Sequence, residues 1–344
     1  MLDKTAKLKD GFGWRLGLIY AGIFLVIGAY VPFFPIWMKA RGLTATEISI
    51  VIGIPVIAKV LMSPLIANIS DRTGRRRLTL TLLAFGALAT AVGLHFVSSF
   101  SAVLVVVLIL SLHWNPVMPL TEALAIGGAR ERGIDYGRMR LWGSLSFIIA
   151  NIGAGWLVER EGADFALFFV ISALGLTFLA TLGLPAPNAQ SRSIEQTHSA
   201  ESKDANWRQL LRPGFLAFLF VAGMLQASHA VYYLFSTLHW NAAGISTLVV
   251  GWLWAVGVVG EIILFVWSWL VFRLFGVWGL IYLAAAAALV RWLALGTELS
   301  LAWLVPVQLL HAFSFGAPHP AVSNVLAELV PGRLPVTDPD PNST

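Results

Sequence analysis

Long apolar windows of about 20 residues dominate this chain and leave few architectures open to it. There are ten, and they run approximately over residues 16–38, 48–70, 78–99, 102–128, 141–158, 165–184, 214–238, 245–272, 274–296 and 300–327. Most are continuous apolar runs without the alternation of a β-barrel strand, so helices are the only plausible spanning element. With 58% hydrophobic and 12% charged residues, the chain is too apolar for one water-soluble core. The sequence predicts an all-α polytopic membrane protein.

Lysine and arginine are distributed very unevenly between the two sets of loops. With the N-terminus in the cytoplasm, 18 of the 23 fall inside, and only Lys39, Arg41 and Arg160 fall outside. Because basic loops stay cytoplasmic, we expect a multi-pass protein of the bacterial plasma (inner) membrane with a cytoplasmic N-terminus. The net charge of +5 is then a topology signal, and no nucleic-acid partner is expected. The absence of cysteine excludes disulfides and thiolate metal sites.

A polar stretch divides the windows into two groups. Residues 1–184 hold six windows, residues 185–212 are predicted to be a flexible cytoplasmic linker, and residues 213–330 hold four windows. The two groups are weakly similar, because the second window of each ends in a basic turn, Ser70–Arg77 in the first group and Phe272–Gly276 in the second. Parallel repeats would show such a similarity. Residues 331–344 form a polar, proline-rich tail. Since six windows would balance the first half, we expect a C-terminally truncated chain; a natural ten-helix protein is the alternative.

Ionisable side chains lie deep inside apolar windows at Glu122, Glu261 and Arg291. A charge there costs several kcal/mol, roughly, so each must face a partner or a water-filled cavity. Glu122 and Arg140 lie on adjacent antiparallel windows and can neutralise each other, and Arg291 and His311 can meet across an outward turn. This pattern favours a solute and proton pathway. The alternative for each pair is a structural salt bridge or a packing hydrogen bond.

The basic turn Asp71-Arg72-Thr73-Gly74-Arg75-Arg76-Arg77 resembles the signature of the major facilitator superfamily, although Ala67 replaces its leading glycine. The strings Gly28–Trp37, Tyr136–Ser144 and Gln226–Phe235 are similar to those of its proton symporters related to lactose permease and to the 3-phenylpropionate permeases. The resemblance implies a major facilitator fold of two pseudo-repeated helical halves, with about 10 of the usual 12 helices present. It also implies a gating role for the turn residues Asp71, Arg72, Gly74, Arg75 and Arg76.

The same resemblance implies roles for the buried polar residues. Substrate binding falls to Glu122, Arg140, Trp142, His229, Tyr232 and Tyr233, whose aromatic members can stack on a ring while Arg140 or Arg291 takes a carboxylate. Proton coupling falls to Glu261, Arg291 and His311. Ser314 stands where the related symporters have a proton-carrying glutamate, so Glu261 is the best remaining carrier. Helix packing is the alternative for His229 and for the aromatic side chains.

These observations predict a monomeric proton-coupled symporter that imports a small organic solute by alternating access. Its partners are the solute, protons and the lipid bilayer, and it needs no cofactor or metal beyond the proton gradient. An aromatic carboxylate such as phenylpropionate is the favoured solute, with sugars and nucleosides as alternatives. An inactive truncated fragment is a further possibility. A polytopic membrane enzyme is less favoured, because no aspartate lies inside any apolar window.

Overall fold

A computed structural model of the protein describes residues 11–185 and 211–329, and this part of the chain is helical, without a strand. The helices are α1 (Phe12–Ala40), α2 (Ala45–Thr73), α3 (Arg76–Leu94), α4 (Phe100–Trp114), α5 (Val117–Arg132), α6 (Tyr136–Glu161), α7 (Asp164–Leu182), α8 (Pro213–Ala227), α9 (Ala230–Ala242), α10 (Thr247–Val266), α11 (Ser268–Leu295), α12 (Leu301–Leu309) and α13 (Pro318–Leu329). A π-helix, Ala312–Gly316, joins α12 to α13. Residues 186–210 of the predicted linker and the predicted tail, 331–344, lie outside the described residues.

The helices confirm the predicted all-α polytopic architecture. Within the described residues, nine stretches are long and apolar enough to cross a membrane, or ten if the bent pair Ala45–Val60 and Met62–Ser70 counts as one span. Two boundaries differ from the predicted windows 245–272 and 274–296, because α10 ends at Val266 and α11 begins at Ser268. Trp267 leaves the helical conformation between them, and α11 is interrupted again at Gly276, whose φ of 61° and ψ of −176° are not helical and which lies close to the predicted boundary.

The bend in α2 has an identifiable cause. Its two segments, Ala45–Val60 and Met62–Ser70, meet at 42°, and Pro64 is the third residue of the second segment. A proline inside a helix has no N–H to donate to the carbonyl four residues earlier, here that of Val60, and its ring clashes with that carbonyl. The sequence of α2 therefore places a bend close to Lys59, at the middle of the helix.

The two basic turns share one backbone feature. Gly74 after α2 and Gly276 within α11 both have φ of 61°, in the left-handed region where a side chain is disfavoured. Gly74 thus makes the tight turn that the sequence indicated, while the Asp71 side chain lies outside the described residues. Nearby, Arg77 donates to the Leu182 carbonyl at 2.9 Å and Arg15 to the Gly183 carbonyl at 2.8 Å. These two cations therefore cap the C-terminal end of α7, where the helix dipole favours positive charge.

The helices group into two compact units. The first takes the described residues of Met1–Asn188 together with Tyr233–Trp252, and the second takes those of Ala189–Tyr232 and Leu253–Thr344. In the first unit, α1 is the most buried span and packs against α6 and α7. These units differ from the predicted halves in the placement of Tyr233–Trp252, and the halves themselves stay a prediction.

Tyr233–Trp252 joins the first unit because α6 and the start of α10 touch backbone to backbone. A Cβ on Gly251 would lie 2.3 Å from the Asn151 carbonyl oxygen, and a Cβ on Gly155 would lie 2.8 Å from that of Thr247. The Leu248 N–H also donates to Glu159 at 2.7 Å. The contact residues are four positions apart on each helix, Asn151 and Gly155 on α6 and Thr247 and Gly251 on α10. The glycine of each pair lets the two helices approach more closely than a side chain would allow.

We expect Gly251→Ala to lower the thermal unfolding midpoint of the purified protein, because the new methyl group must push α6 and α10 apart at a cost of about 1–3 kcal/mol. Tryptophan fluorescence during heating in detergent would measure the shift. Gly53→Ala is the matched control, since nothing lies within 4 Å of its Cβ position. Equal midpoints for the two variants would contradict the close contact.

Candidate functional site

An acid–base pair lies in the first unit, where α5 and α6 run side by side. Arg140 Nε lies 3.6 Å from Glu122 Oε1, and the two side chains are 33% and 26% exposed. Tyr136 donates its hydroxyl hydrogen to Glu122 Oε2 at 2.5 Å. Glu122 and Arg140, which the sequence analysis paired, therefore lie in contact, and their opposite charges neutralise each other.

Aromatic rings surround this pair. The Arg140 guanidinium lies 4.2 Å from the Phe24 ring centroid and 5.7 Å from that of Tyr20, both on α1. Trp142, two residues further along α6, packs on α1 at Gly17 and is 53% exposed. Cation–π contact with Phe24 holds the guanidinium against α1. Arg140 is thus fixed by a carboxylate on one side and by an aromatic face on the other.

The second unit holds a chain of three ionisable groups drawn from α10, α11 and the end of α12. Arg291 is fully buried, and its Nη1 donates to His311 Nδ1 at 2.8 Å. His311 Nε2 lies 3.0 Å from Glu261 Oε1. A guanidinium has no acceptor, so Nδ1 must be the accepting nitrogen and the imidazole proton must be on Nε2, where it points at Glu261. His311 therefore bridges a cation and a carboxylate as a neutral group.

Polar side chains add further hydrogen bonds to Arg291. Its Nη2 donates to Gln308 Oε1 at 3.1 Å, and that oxygen also accepts from the Tyr232 hydroxyl at 2.9 Å. Its Nη1 also lies 3.4 Å from Ser314 Oγ, which is 3.2 Å from His229 Nε2. The other ring nitrogen of His229 contacts the Leu225 carbonyl at 3.0 Å and so carries the hydrogen. Ser314 then donates to His229 and accepts from Arg291.

Aromatic side chains enclose the same cluster. The Arg291 guanidinium lies 4.4 Å from the Tyr232 ring centroid and 4.9 Å from that of Trp292. Tyr232 stacks on Trp254 with ring centroids 4.8 Å apart. His229 meets the Trp292 ring edge-on at 5.0 Å. These rings exclude water from the guanidinium, which strengthens its hydrogen bonds.

Backbone irregularities set the position of the cluster. Pro306 interrupts α12, and His311 directly precedes the π-helix Ala312–Gly316. A π-helical turn inserts an extra residue into a helix and commonly occurs at functional sites. Here it brings Ser314 to the same guanidinium that His311 contacts.

Several residues of these sites were missed by the sequence reasoning. Tyr136 lies in a string that the sequence singled out, but its bond to Glu122 depends on the crossing of α5 and α6. Gln308 precedes His311 by three residues, a spacing that puts both on one helix face and that would have predicted its contact with Arg291. Nothing in the sequence around Trp254 predicted its stacking on Tyr232. The pocket predicted from Trp142, His229, Tyr232 and Tyr233 draws on both units and stays a prediction.

We expect Arg291→Met to destabilise the protein by about 3–5 kcal/mol, because it leaves buried partners without the cation that they face. Adding Glu261→Gln should restore part of this loss, since the amide needs no counter-charge. Arg273→Met, which removes an exposed guanidinium from the same helix, is the control. Detergent-titration unfolding of the four variants would give the coupling energy, and additive losses would contradict a shared network.

Comparison with known proteins identifies the family to which this architecture belongs. The model of the MFS_1 like family matches residues 13–337. The chain is 33% identical over 312 residues to the probable 3-phenylpropionic acid transporter of Escherichia coli (strain K12), covering 91% of this chain and 81% of that protein. It is 28% identical to the maltose permease of Geobacillus stearothermophilus, covering 93% and 80%.

Solved structures share the fold at low sequence identity. The nucleoside transporter NupG aligns with a TM-score of 0.73 at 15% identity, covering 93% of this chain and 83% of that chain. The D-xylose-proton symporter aligns with a TM-score of 0.60 at 14% identity, covering 95% and 83%.

Proposed function

The chain belongs to the MFS_1 like family of membrane transporters, and we propose that it is a proton-coupled symporter that imports an aromatic carboxylate, such as phenylpropionate. It crosses the bilayer several times, and we place its N-terminus in the cytoplasm of a bacterial cell, with the basic loops inside. Transport proceeds by alternating access, in which the helical halves rock about a central site.

The observation that carries proton coupling is the chain Glu261–His311–Arg291. Glu261 is 15% exposed and takes the Nε2–H of a neutral imidazole, whose other nitrogen is held by a buried guanidinium. With Glu261 ionised, the cluster is neutral overall. A proton on Glu261 leaves the charge of Arg291 uncompensated in an apolar bundle. Glu261 is thus the proton carrier, and His311 and Arg291 position it.

This charge balance links the proton to an anionic solute. An uncompensated cation inside the bundle is costly, so a carboxylate solute is favoured when Glu261 is protonated. By the same thermodynamic link, the bound solute raises the affinity for the proton. The loaded protein then carries one proton and one anion, with no net charge added to the bundle. Symport follows from this reciprocal stabilisation.

Support for an aromatic carboxylate comes from the relative described as a probable 3-phenylpropionic acid transporter and from the ring-lined surroundings of Arg140 and Arg291. In both places the guanidinium already has partners, Glu122 in one and His311 with Gln308 in the other. A substrate carboxylate would have to displace a partner at either arginine. We therefore assign Glu122 and Arg140 to solute binding, in which their polar groups contact the solute and the aromatic rings beside Arg140 stack on it.

The turn between α2 and α3 is proposed as the gating element. Asp71, Arg72, Gly74, Arg75 and Arg76 lie at a helix end where the backbone reverses through the left-handed Gly74. Such a compact charged turn can open and close while the helices that it joins stay intact.

Uptake into proteoliposomes tests the function. An inward proton gradient should drive accumulation of phenylpropionate with alkalinisation of the external medium. Glu261→Gln should abolish accumulation while solute exchange across the membrane persists, because the amide cannot release a proton. Glu298→Gln removes an exposed carboxylate outside the cluster and should transport normally.

Two results would contradict this proposal. Accumulation by Glu261→Gln at the wild-type level would remove Glu261 from the proton pathway. Alkalinisation with maltose or a nucleoside, but not with phenylpropionate, would transfer the assignment to a sugar or nucleoside symporter, an alternative that the maltose permease relative favours.

A further inference from the structure

The first unit contains a cavity that neither acid–base site uses. Its volume is about 210 Å³, and its walls come from α1, α2, α4, α7 and the residues that follow α4. Aliphatic side chains form the largest part of the lining, and among them Val26, Val107 and Val170 are each 1–2% exposed. Lys59 is the one charged residue of the lining. The cavity is therefore an apolar chamber with a single cation at its edge.

Lys59 stands where a cation has no simple escape to water. It is the midpoint of the 29-residue helix α2, about 22 Å from either end at 1.5 Å per residue. A lysine near the end of a spanning helix can extend its ammonium to the interface, but mid-span the interface is about 15 Å away. The residue is exposed, and it lines the cavity. The ammonium is therefore available to pair with a molecule that enters the cavity.

No counter-charge for this ammonium is found in the described ranges 11–185 and 211–329. The ion pairs and hydrogen bonds of that part of the chain join other residues, and none of them reaches Lys59. The other mid-span charges balance, since Glu122 faces Arg140 and Glu261 is linked to Arg291 through His311. An unpaired charge inside a spanning segment marks a ligand or ion pathway. The missing partner of Lys59 is an anion.

The size of the cavity limits that anion. An apolar cavity of about 150 Å³ holds one benzene molecule. The cavity here, at about 210 Å³, adds room for a short acid chain. The aliphatic walls reject a sugar or nucleoside, whose hydroxyl groups would lose their hydrogen bonds. The side chains of Trp114 and Asn115 lie at the same lining and offer a ring face and an amide.

We infer that this cavity binds an apolar monocarboxylate of about the size of phenylpropionate, with the ammonium of Lys59 receiving the carboxylate and the aliphatic walls receiving the hydrocarbon body. Lys59 is then the residue that selects acids over neutral solutes. The inference rests on the proposed function in that the acid bound here is the one transported. It adds a cation that, unlike Arg140 and Arg291, gives up no partner when the acid arrives.

Equilibrium binding to the purified full chain in lipid nanodiscs, without any gradient, tests the site. The probes are 3-phenylpropionate, 3-cyclohexylpropionate, octanoate and the neutral 3-phenylpropionamide, measured by calorimetry. We expect Lys59→Met to weaken binding of the acids by about 10- to 100-fold, the range for a lost hydrogen bond to a charged group, and to leave the amide unaffected. Lys59→Arg should restore most of the affinity for the acids.

Lys39→Met is the matched control, because it removes an exposed lysine at the end of α1, away from the cavity. A preference for acid over amide that is unchanged in Lys59→Met would overturn the inference, as would a wild-type protein that binds none of the three acids. Lys59-dependent binding together with failed proton-driven uptake would support this site and refute the symport proposal. Normal coupling through Glu261 with normal binding by Lys59→Met would refute this site alone.

Discussion

An ionised group inside an apolar helix bundle is costly unless a partner neutralises it, and the acid–base cluster of each helical unit meets that requirement. Glu122 meets Arg140 in one unit, and in the other a neutral imidazole relays between Glu261 and Arg291. The first arrangement is a direct pair, which ties two helices together. The second is a hydrogen-bonded chain, and in the proposed mechanism one proton on Glu261 changes the charge of the whole cluster and so favours the binding of an anion.

Irregular backbone supplies the positions that these charges need. Pro64 bends α2 beside Lys59, Pro306 and the π-helix Ala312–Gly316 distort the span that carries His311, and Gly74 and Gly276 reverse the chain at basic turns. In hydrocarbon a regular helix satisfies all its own backbone groups, so each interruption has a cost that a purely structural helix would avoid. The interruptions coincide with the polar residues, as the proposed solute and proton pathway requires.

The fold was largely predictable, because length and apolarity alone decide which segments span a membrane. The pairing of Glu122 with Arg140 followed from the short connection between their helices, and that of Arg291 with His311 followed from helical rise across one turn. The contact of Gln308 could have been predicted from its three-residue spacing from His311. The roles of Tyr136 and Trp254 did not follow, since a tyrosine or tryptophan in an apolar helix suits packing as well as binding. The cavity beside Lys59 depends on how five chain segments pack, which no local pattern encodes.

The depth of Lys59 also connects this protein to the electrical state of the cell. An anion that leaves outside water for the midpoint of a spanning helix crosses about half of the membrane field. With the cell interior negative, this costs about 1.2 kcal/mol per 100 mV, half the value for a full crossing, and weakens loading from outside roughly sevenfold. A proton that travels with the acid moves through the same field in the favourable direction and cancels the cost. Resting voltage would then act as a filter against acid entering without its proton.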